Sequence, residues 1–106
     1  MKVGIVISQT DPETVWNAFR FGNFSIKKGH SIRTFLIGKG VECVEIDNEE
    51  FNVIEQINKY VDNKGKIFAC GTCLVSRNKE GSPICPMSTM ADLMELVEES
   101  DKIVSF

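Results

Sequence analysis

The sequence predicts a single α/β domain, residues 1–106, built on a parallel sheet with helices on both faces. Three observations predict this fold class. Apolar segments of strand length alternate with segments of helical periodicity along the whole chain. A length of 106 residues suits one domain and not two. The composition, 42% hydrophobic and 25% charged, is that of a globular protein that buries a core without disulfides or metal.

The N-terminal third predicts two strands around one helix. Lys2–Ser8 is an almost continuous apolar segment, which is typical of a strand covered on both faces. Residues 11–13, Asp-Pro-Glu, provide an N-cap, a proline for the first helical position and an acidic first turn. The helix that follows ends near Gly29. Ser31–Ile37 is a second strand, rich in β-branched residues, and a turn at Gly38-Lys39-Gly40 closes it.

The rest of the chain predicts a second helix and then an alternating series of strands and helices. Residues 42–50 are acidic and lack an apolar period, so we expect a solvated loop there. Apolar spacing over residues 51–61 predicts the second helix. A third strand is predicted at Lys66–Cys70 and a short helix at Leu74–Asn78. A further helix begins after a cap at Ser88 or Thr89, and a fourth strand follows at Ile103–Phe106.

The order of the strands decides where a ligand would bind. We expect about four to five strands in the order 2-1-3-4, joined by right-handed crossovers. In that order the loops after the first and third strands flank the point where the strand order reverses, which is where doubly wound folds bind ligands. These loops are Gln9-Thr10-Asp11 and Cys70-Gly71-Thr72-Cys73. The cysteine loop is therefore the predicted site.

Charge and hydropathy exclude several classes of function. The net charge is −3, and the 12 lysines and arginines are scattered along the chain, so we expect no nucleic-acid binding. The apolar run Val3–Ile7 is too short for a signal peptide or a membrane span, so we expect a cytoplasmic protein without a membrane partner. In that reducing compartment the four cysteines are expected to be reactive or metal-binding rather than disulfide-bonded.

Cys70 and Cys73 are the candidate catalytic residues. Cys70 ends a strand just before a helix, and backbone amides at a helix N-terminus favour a thiolate, which is the nucleophilic form of cysteine. Gly71 and Thr72 would supply supporting backbone groups, and Arg77 would add positive potential if the helix begins early. Cys70 and Cys73 also form a Cys-x-x-Cys motif, which is typical of thiol–disulfide exchange.

The other cysteines leave two alternatives open. Cys85, between two prolines in a loop, is a candidate resolving thiol for an intermediate on Cys70 or Cys73. Cys85, Cys43 and the single histidine, His30, could also complete a zinc site with the cysteine loop. Zinc sites of this kind usually combine two cysteine pairs, and only one Cys-x-x-Cys pair is present. We therefore expect no metal and no cofactor.

The first helix has a second apolar face. Trp16, Phe21 and Phe24 lie off the apolar stripe that faces the predicted core. In so small a protein, a second apolar face is typical of an interface between subunits.

Four segments of the sequence resemble one family of small proteins. They are a proline-initiated first helix that ends in Lys-Lys-Gly-His, a second strand closed by Phe-Leu-Ile-Gly-Lys-Gly-Val, the block Phe-Ala-Cys-Gly-Thr-Cys-Leu-Val-Ser-Arg at residues 68–77, and the tail from Ser88 to Phe106. With these segments the whole chain is similar to the DsrE/DsrF/TusD-like family, which includes sulfur-relay proteins.

The resemblance carries expectations about fold, assembly and chemistry. It implies a flavodoxin-like, DsrE-like parallel sheet and a homo-oligomer, either a trimer or a hexamer. Relay members of the family carry a persulfide on a cysteine whose position matches Cys70, with a basic residue at the position of Arg77. The second cysteine of many members matches Cys73.

The leading hypothesis is therefore a sulfurtransferase-like sulfur-relay protein. Cys70 would carry a persulfide and exchange sulfur with donor and acceptor proteins. The alternatives are a Cys-x-x-Cys thiol–disulfide redox protein and a non-catalytic oligomeric binding protein of the same fold.

Overall fold

A five-stranded, all-parallel sheet runs through the computed structural model, which describes all 106 residues. The predicted α/β class is confirmed. The strands are β1 (Lys2–Ile7), β2 (Ser31–Leu36), β3 (Lys66–Cys70), β4 (Met87–Ser88) and β5 (Lys102–Ser105). The helices are α1 (Pro12–Lys27), α2 (Val53–Asp62), α3 (Gly71–Val75) and α4 (Met90–Glu99), with a 3-10 helix at Gly38–Glu45.

The predicted strand order 2-1-3-4 is wrong, because the third strand lies beside the second. The observed order is β4-β3-β2-β1-β5. Tyr60 of α2 gives the physical reason: its Oη lies 2.8 Å from Thr34 Oγ1 of β2 and donates to the Lys66 carbonyl of β3 at 3.1 Å. These bonds secure α2 across two neighbouring strands. The strand order thus reverses between β1 and β5, so the cysteine loop after β3 does not flank the reversal point.

Helices cover both faces of the sheet, as predicted. Successive residues of a strand point to opposite faces. Gly4 of β1 faces α4, since a Cβ there would lie 2.5 Å from Leu96 Cδ2. Ile5, the next residue, packs close to Gly22 of α1. The core between the sheet and α1 and α2 includes the fully buried Phe19.

Local signals fix the starts of the two principal crossover helices where the sequence predicts them. Asp11 caps α1 by accepting a hydrogen bond from the Thr14 backbone N–H at 3.0 Å. Thr89 is the N-cap of α4, where its hydroxyl and the Asp92 carboxylate form a capping box. None of the helices combines the length and the apolar character needed to cross a membrane.

The segment after β2 departs from prediction. It was predicted as a turn and then a solvated loop, but Gly38–Glu45 is a 3-10 helix whose Val41 and Cys43 side chains are buried. The chain passes so close to β1 at Gly40 that a side chain there would collide with the Ile7 carbonyl oxygen. This close approach brings the 3-10 helix beside α3 and the cysteine loop.

Candidate functional site

Cys70 is both the last residue of β3 and the N-cap of α3. α3 begins at Gly71, so the prediction of a helix over Leu74–Asn78 is wrong in its start and its end. The strand passes directly into the helix. Cys70 is the last residue of β3 that pairs with a neighbouring strand, and α3 begins at the next residue. The amides of the first turn, Gly71 to Cys73, have no acceptor within a helix. The Cys70 side chain accepts no hydrogen bond from them, so the expected amide support of a Cys70 thiolate is not seen.

Cys70 lines a small open cavity on the α4 side of the sheet. The residue is only 3% exposed, and the cavity has a volume of about 360 Å³. Its lining combines backbone, hydroxyl groups and thioethers, and it contains no charged side chain: Cys70, Gly71, Thr72, Met87, Ser88, Thr89 and Met90. Such a lining suits a neutral, polarisable group such as a sulfur atom bound to Cys70.

Sequence reasoning missed the far wall of this cavity. Residues 87–90 belong to β4 and to the start of α4, and they reach Cys70 because β4 pairs with the end of β3. The cap signal at Thr89 located the start of a helix but gave no indication that this helix begins beside Cys70. The pairing of a two-residue strand is a long-range contact without a sequence signal of its own.

Cys73 is partly buried and forms hydrogen bonds on both sides. The Gly38 backbone N–H donates to its Sγ at 3.2 Å. A side-chain hydrogen bond with Cys70 raises the pKa of Cys73 most, and partial burial raises it further. The Gly38 amide and the nearby Arg77 charge act in the opposite direction, but more weakly. Cys73 therefore keeps its proton near neutral pH. In this form its S–H group can donate a hydrogen bond towards Cys70.

Arg77 lies beyond the end of α3 and on the Cys73 side of the site. Its Nε forms an ion pair with Glu42 Oε2 at 3.2 Å, and its Nη1 donates to the Cys73 carbonyl at 3.2 Å. Glu42 comes from the 3-10 helix that the sequence predicted as a loop, so its role as a partner was missed. Arg77 does not line the Cys70 cavity.

Cys43 and Cys85 form a second group of thiols, away from the Cys70 cavity. Burial raises the pKa of Cys43 to about 12 and that of Cys85 to about 11, and Cys85 adds to the shift at Cys43. Cys85 lines another open cavity, of about 540 Å³, together with Leu74 and the Lys79–Glu45 ion pair. The structure thus places the candidate resolving thiol beside Cys43, not beside Cys70.

The candidate metal ligands do not converge. No group of three or more His, Cys, Asp or Glu side chains is arranged to hold a metal ion. His30 contacts the N-terminus instead, with its Nδ1 2.7 Å from the Met1 nitrogen. The geometry gives the zinc alternative no support.

Two archaeal proteins are similar to this chain along its length. One is the uncharacterized protein MJ0989 of Methanocaldococcus jannaschii, which is 28% identical and aligns over 100% of both chains. The other is the uncharacterized protein MK0008 of Methanopyrus kandleri, which is 27% identical over 98% of this chain and 93% of its own.

Solved structures share the fold. The ychN protein from E. coli superimposes with a TM-score of 0.88 and 19% identity, covering 100% of this chain and 99% of its own. BT1422 of Bacteroides thetaiotaomicron, a conserved protein of unknown function, gives a TM-score of 0.79 and 23% identity, with 99% and 94% coverage. At these identities the likeness concerns the fold alone. The sequence model of the DsrE/DsrF-like family matches residues 1–106, and the chain therefore belongs to that family.

Proposed function

We propose that this protein is a sulfur carrier that holds a persulfide on Cys70 and passes the outer sulfur to an acceptor protein. Membership of the DsrE/DsrF-like family supports the general class. The observation that carries the proposal is the position of Cys70, which ends a strand at an uncharged cavity and lies close enough to the Cys73 thiol to raise the pKa of Cys73. The cavity offers space for an added sulfur atom and partial shelter from water.

The transfer requires only thiol chemistry. The Cys70 thiolate attacks the outer sulfur of a donor persulfide, R–S–SH, and a new S–S bond forms to Cys70. The bond between the donor's two sulfurs breaks, and the donor leaves as the thiolate with that electron pair. An acceptor thiolate then attacks the outer sulfur on Cys70 in the same way. Sulfur is carried between chains without an added oxidant or reductant.

Cys73 has a definite effect on the lifetime of this persulfide. A Cys73 thiolate would attack the inner sulfur on Cys70, form a Cys70–Cys73 disulfide and release hydrosulfide. The raised pKa of Cys73 keeps it protonated at neutral pH and therefore slows this discharge. In its protonated form Cys73 can instead donate a hydrogen bond towards the sulfur on Cys70.

The proposal is tested by intact mass after incubation with a cysteine desulfurase and cysteine. We expect wild type to gain one sulfur that dithiothreitol removes, and Cys70→Ser to gain none. Cys85→Ser is the matched control, because it removes a buried thiol that lies outside the Cys70 cavity. Failure of wild type to load, or equal loading of Cys70→Ser, would contradict the proposal.

The interaction between the two thiols of the Cys-x-x-Cys motif, which raises the pKa of Cys73, favours a second candidate, a dithiol redox protein. In that case wild type would gain no sulfur and would lose two hydrogens on mild oxidation. Loss of either Cys70 or Cys73 would then abolish activity. For a sulfur carrier, only Cys70 is indispensable.

We also propose that the chain assembles with copies of itself through α1. Phe24 is 60% exposed and Phe21 is 38% exposed, and Phe21 lies 6.3 Å from Phe106, ring centre to ring centre, beside edge strand β5. Exposed aromatic side chains next to a sheet edge are typical of an interface. Trp16 packs on Phe51 instead and does not contribute to this surface. Sedimentation equilibrium should show an oligomer that Phe24→Ser dissociates, whereas a monomeric wild type would contradict this assembly.

A further inference from the structure

A second apolar surface lies around α4. Five large apolar side chains, from β4 through α4 to β5, are exposed by 39 to 55% of their surface. We call this the α4 surface, and it consists of Met87, Met90, Met94, Val97 and Ile103. Leu96 is the only fully buried residue of α4 and faces the sheet, and Leu93 is partly buried against the core. The other large apolar side chains of the helix are exposed.

The α4 surface is continuous with the Cys70 cavity. Met90, Met94 and Val97 are spaced by four and three residues and therefore share one face of the helix. Met87 and Met90 also line the cavity that contains Cys70. A chain that covers this helix face would therefore extend to the mouth of the cavity. Methionine side chains suit such a surface, because they adapt to differently shaped apolar partners.

The charged side chains of α4 itself, next to the α4 surface, are all acidic. α4 carries four acidic residues, Asp92, Glu95, Glu98 and Glu99, and no lysine or arginine. Glu99 alone has an ion pair, with Arg33 at 3.5 Å. Neighbouring residues of a strand point to opposite faces, so Lys102 points away from α4, where Ile103 faces the helix. Arg33 and Lys66 are in register with Gly4 and lie on the α4 side of the sheet, beneath the helix. The exposed helix thus combines an apolar face with an adjoining acidic face.

We propose that the α4 surface docks a helical segment of a sulfur-exchange partner whose apolar side chains are flanked by lysine or arginine. Apolar contact would cover the methionines, and basic side chains would meet the acidic face of α4. Two copies of α4 facing each other would bring acidic faces together, which disfavours symmetric self-pairing through this surface. That this partner exchanges sulfur rests on the proposed function of Cys70. Its docking, in contrast, can be measured without any sulfur transfer.

The test uses two synthetic amphipathic helical peptides with the same leucine face, one flanked by lysine and the other by glutamate. Fluorescence anisotropy at low salt should show the basic peptide binding at least about tenfold more tightly than the acidic one, with the difference shrinking at high salt. Met94→Ser should weaken the basic peptide about tenfold. Ile54→Ser is the matched control, since Ile54 is an exposed apolar residue on α2. Bound peptide should also slow alkylation of Cys70.

Three binding results would overturn the docking proposal. They are no binding of the basic peptide, equal binding of both peptides, and equal loss of binding in Met94→Ser and Ile54→Ser. Dissociation of a homo-oligomer by Met94→Ser would overturn it as well, because the occupant would then be a second copy of this chain. None of these measurements depends on persulfide formation, so failure of docking and failure of sulfur loading are seen separately.

Discussion

Cys73 differs from the buried pair Cys43 and Cys85 in what raises the pKa of its thiol. Cys43 and Cys85 are buried, and desolvation dominates the raised pKa of each thiol. At Cys73 the largest influence is the hydrogen bond with Cys70, and burial comes second. Cys43 and Cys85 behave as part of the core, whereas Cys73 responds chiefly to its neighbour Cys70 at the end of β3. The proposed role of Cys70 therefore depends on its position at the end of β3 beside a cavity, since it is as buried as Cys43 and Cys85.

The largest expected difference between the groups is in alkylation. A pKa of about 12 instead of the ordinary 9.0 lowers the thiolate fraction of Cys43 at neutral pH about 10³-fold. We expect iodoacetamide to label Cys43 at least that much more slowly than an unperturbed thiol, as followed by peptide mass spectrometry. Labelling of Cys43 at the rate of Cys73 in the folded protein would remove the distinction between the groups.

The next largest effect is that of Cys73 on the lifetime of the Cys70 persulfide. The pKa of Cys73 is raised, so its thiolate forms only as the solution becomes alkaline. The thiolate should then attack the persulfide on Cys70 and release sulfide. Loaded wild type should lose sulfur faster as the pH rises above neutral. Cys73→Ser should hold it about tenfold longer near pH 9, as measured by sulfide release. Equal lifetimes across this pH range would show that Cys73 does not attack the persulfide.

A smaller effect is expected on stability at high pH. The Cys43 pKa is about 12 in the folded protein and about 9 when unfolded, so between these values only the unfolded chain has released the proton. The free energy of unfolding contributed by this thiol is therefore intact below pH 9 and falls as the pH rises. Urea unfolding should show wild type losing about 1 kcal/mol more than Cys43→Ala between pH 9 and 10.

All other ionisable groups are the same in both proteins, so their contributions cancel in this comparison. Parallel pH profiles for wild type and Cys43→Ala would contradict the assignment of Cys43 to the core.

The smallest expected effect is that of Arg77. Its ion pair with Glu42 joins side chains that are 30% and 36% exposed, so Arg77→Gln should cost about 0.5 kcal/mol or less in urea unfolding. Loss of its charge raises the Cys73 pKa further, and the persulfide should therefore persist slightly longer. Complete loss of sulfur loading in Arg77→Gln would instead show that this side chain acts on Cys70 itself.

The sequence predicted those parts of the fold that depend on local signals. The caps at Asp11 and Thr89, and the strand that ends at Cys70, follow from residues within one turn or one strand. Strand order depends instead on the contacts of Tyr60 with Thr34 and Lys66, and the contact with Thr34 joins residues 26 apart. No periodicity encodes such a contact.

The candidate site divides in the same way. Cys70 and Cys73 could be identified because their spacing is local. The Glu42–Arg77 pair joins residues 35 apart, and Met87 reaches the cavity through the short strand β4. These contacts depend on the folded arrangement of the chain, so the sequence alone does not predict them.

Mapping the added atom decides whether Cys70, rather than another of the four cysteines, carries the sulfur. Protein loaded by a cysteine desulfurase would be alkylated, digested and sequenced by tandem mass spectrometry. The account predicts the additional sulfur on the peptide that contains Cys70 and Cys73, with fragment ions assigning it to Cys70. Its location on Cys43 or Cys85, or on Cys73 with Cys70 unmodified, would contradict the account.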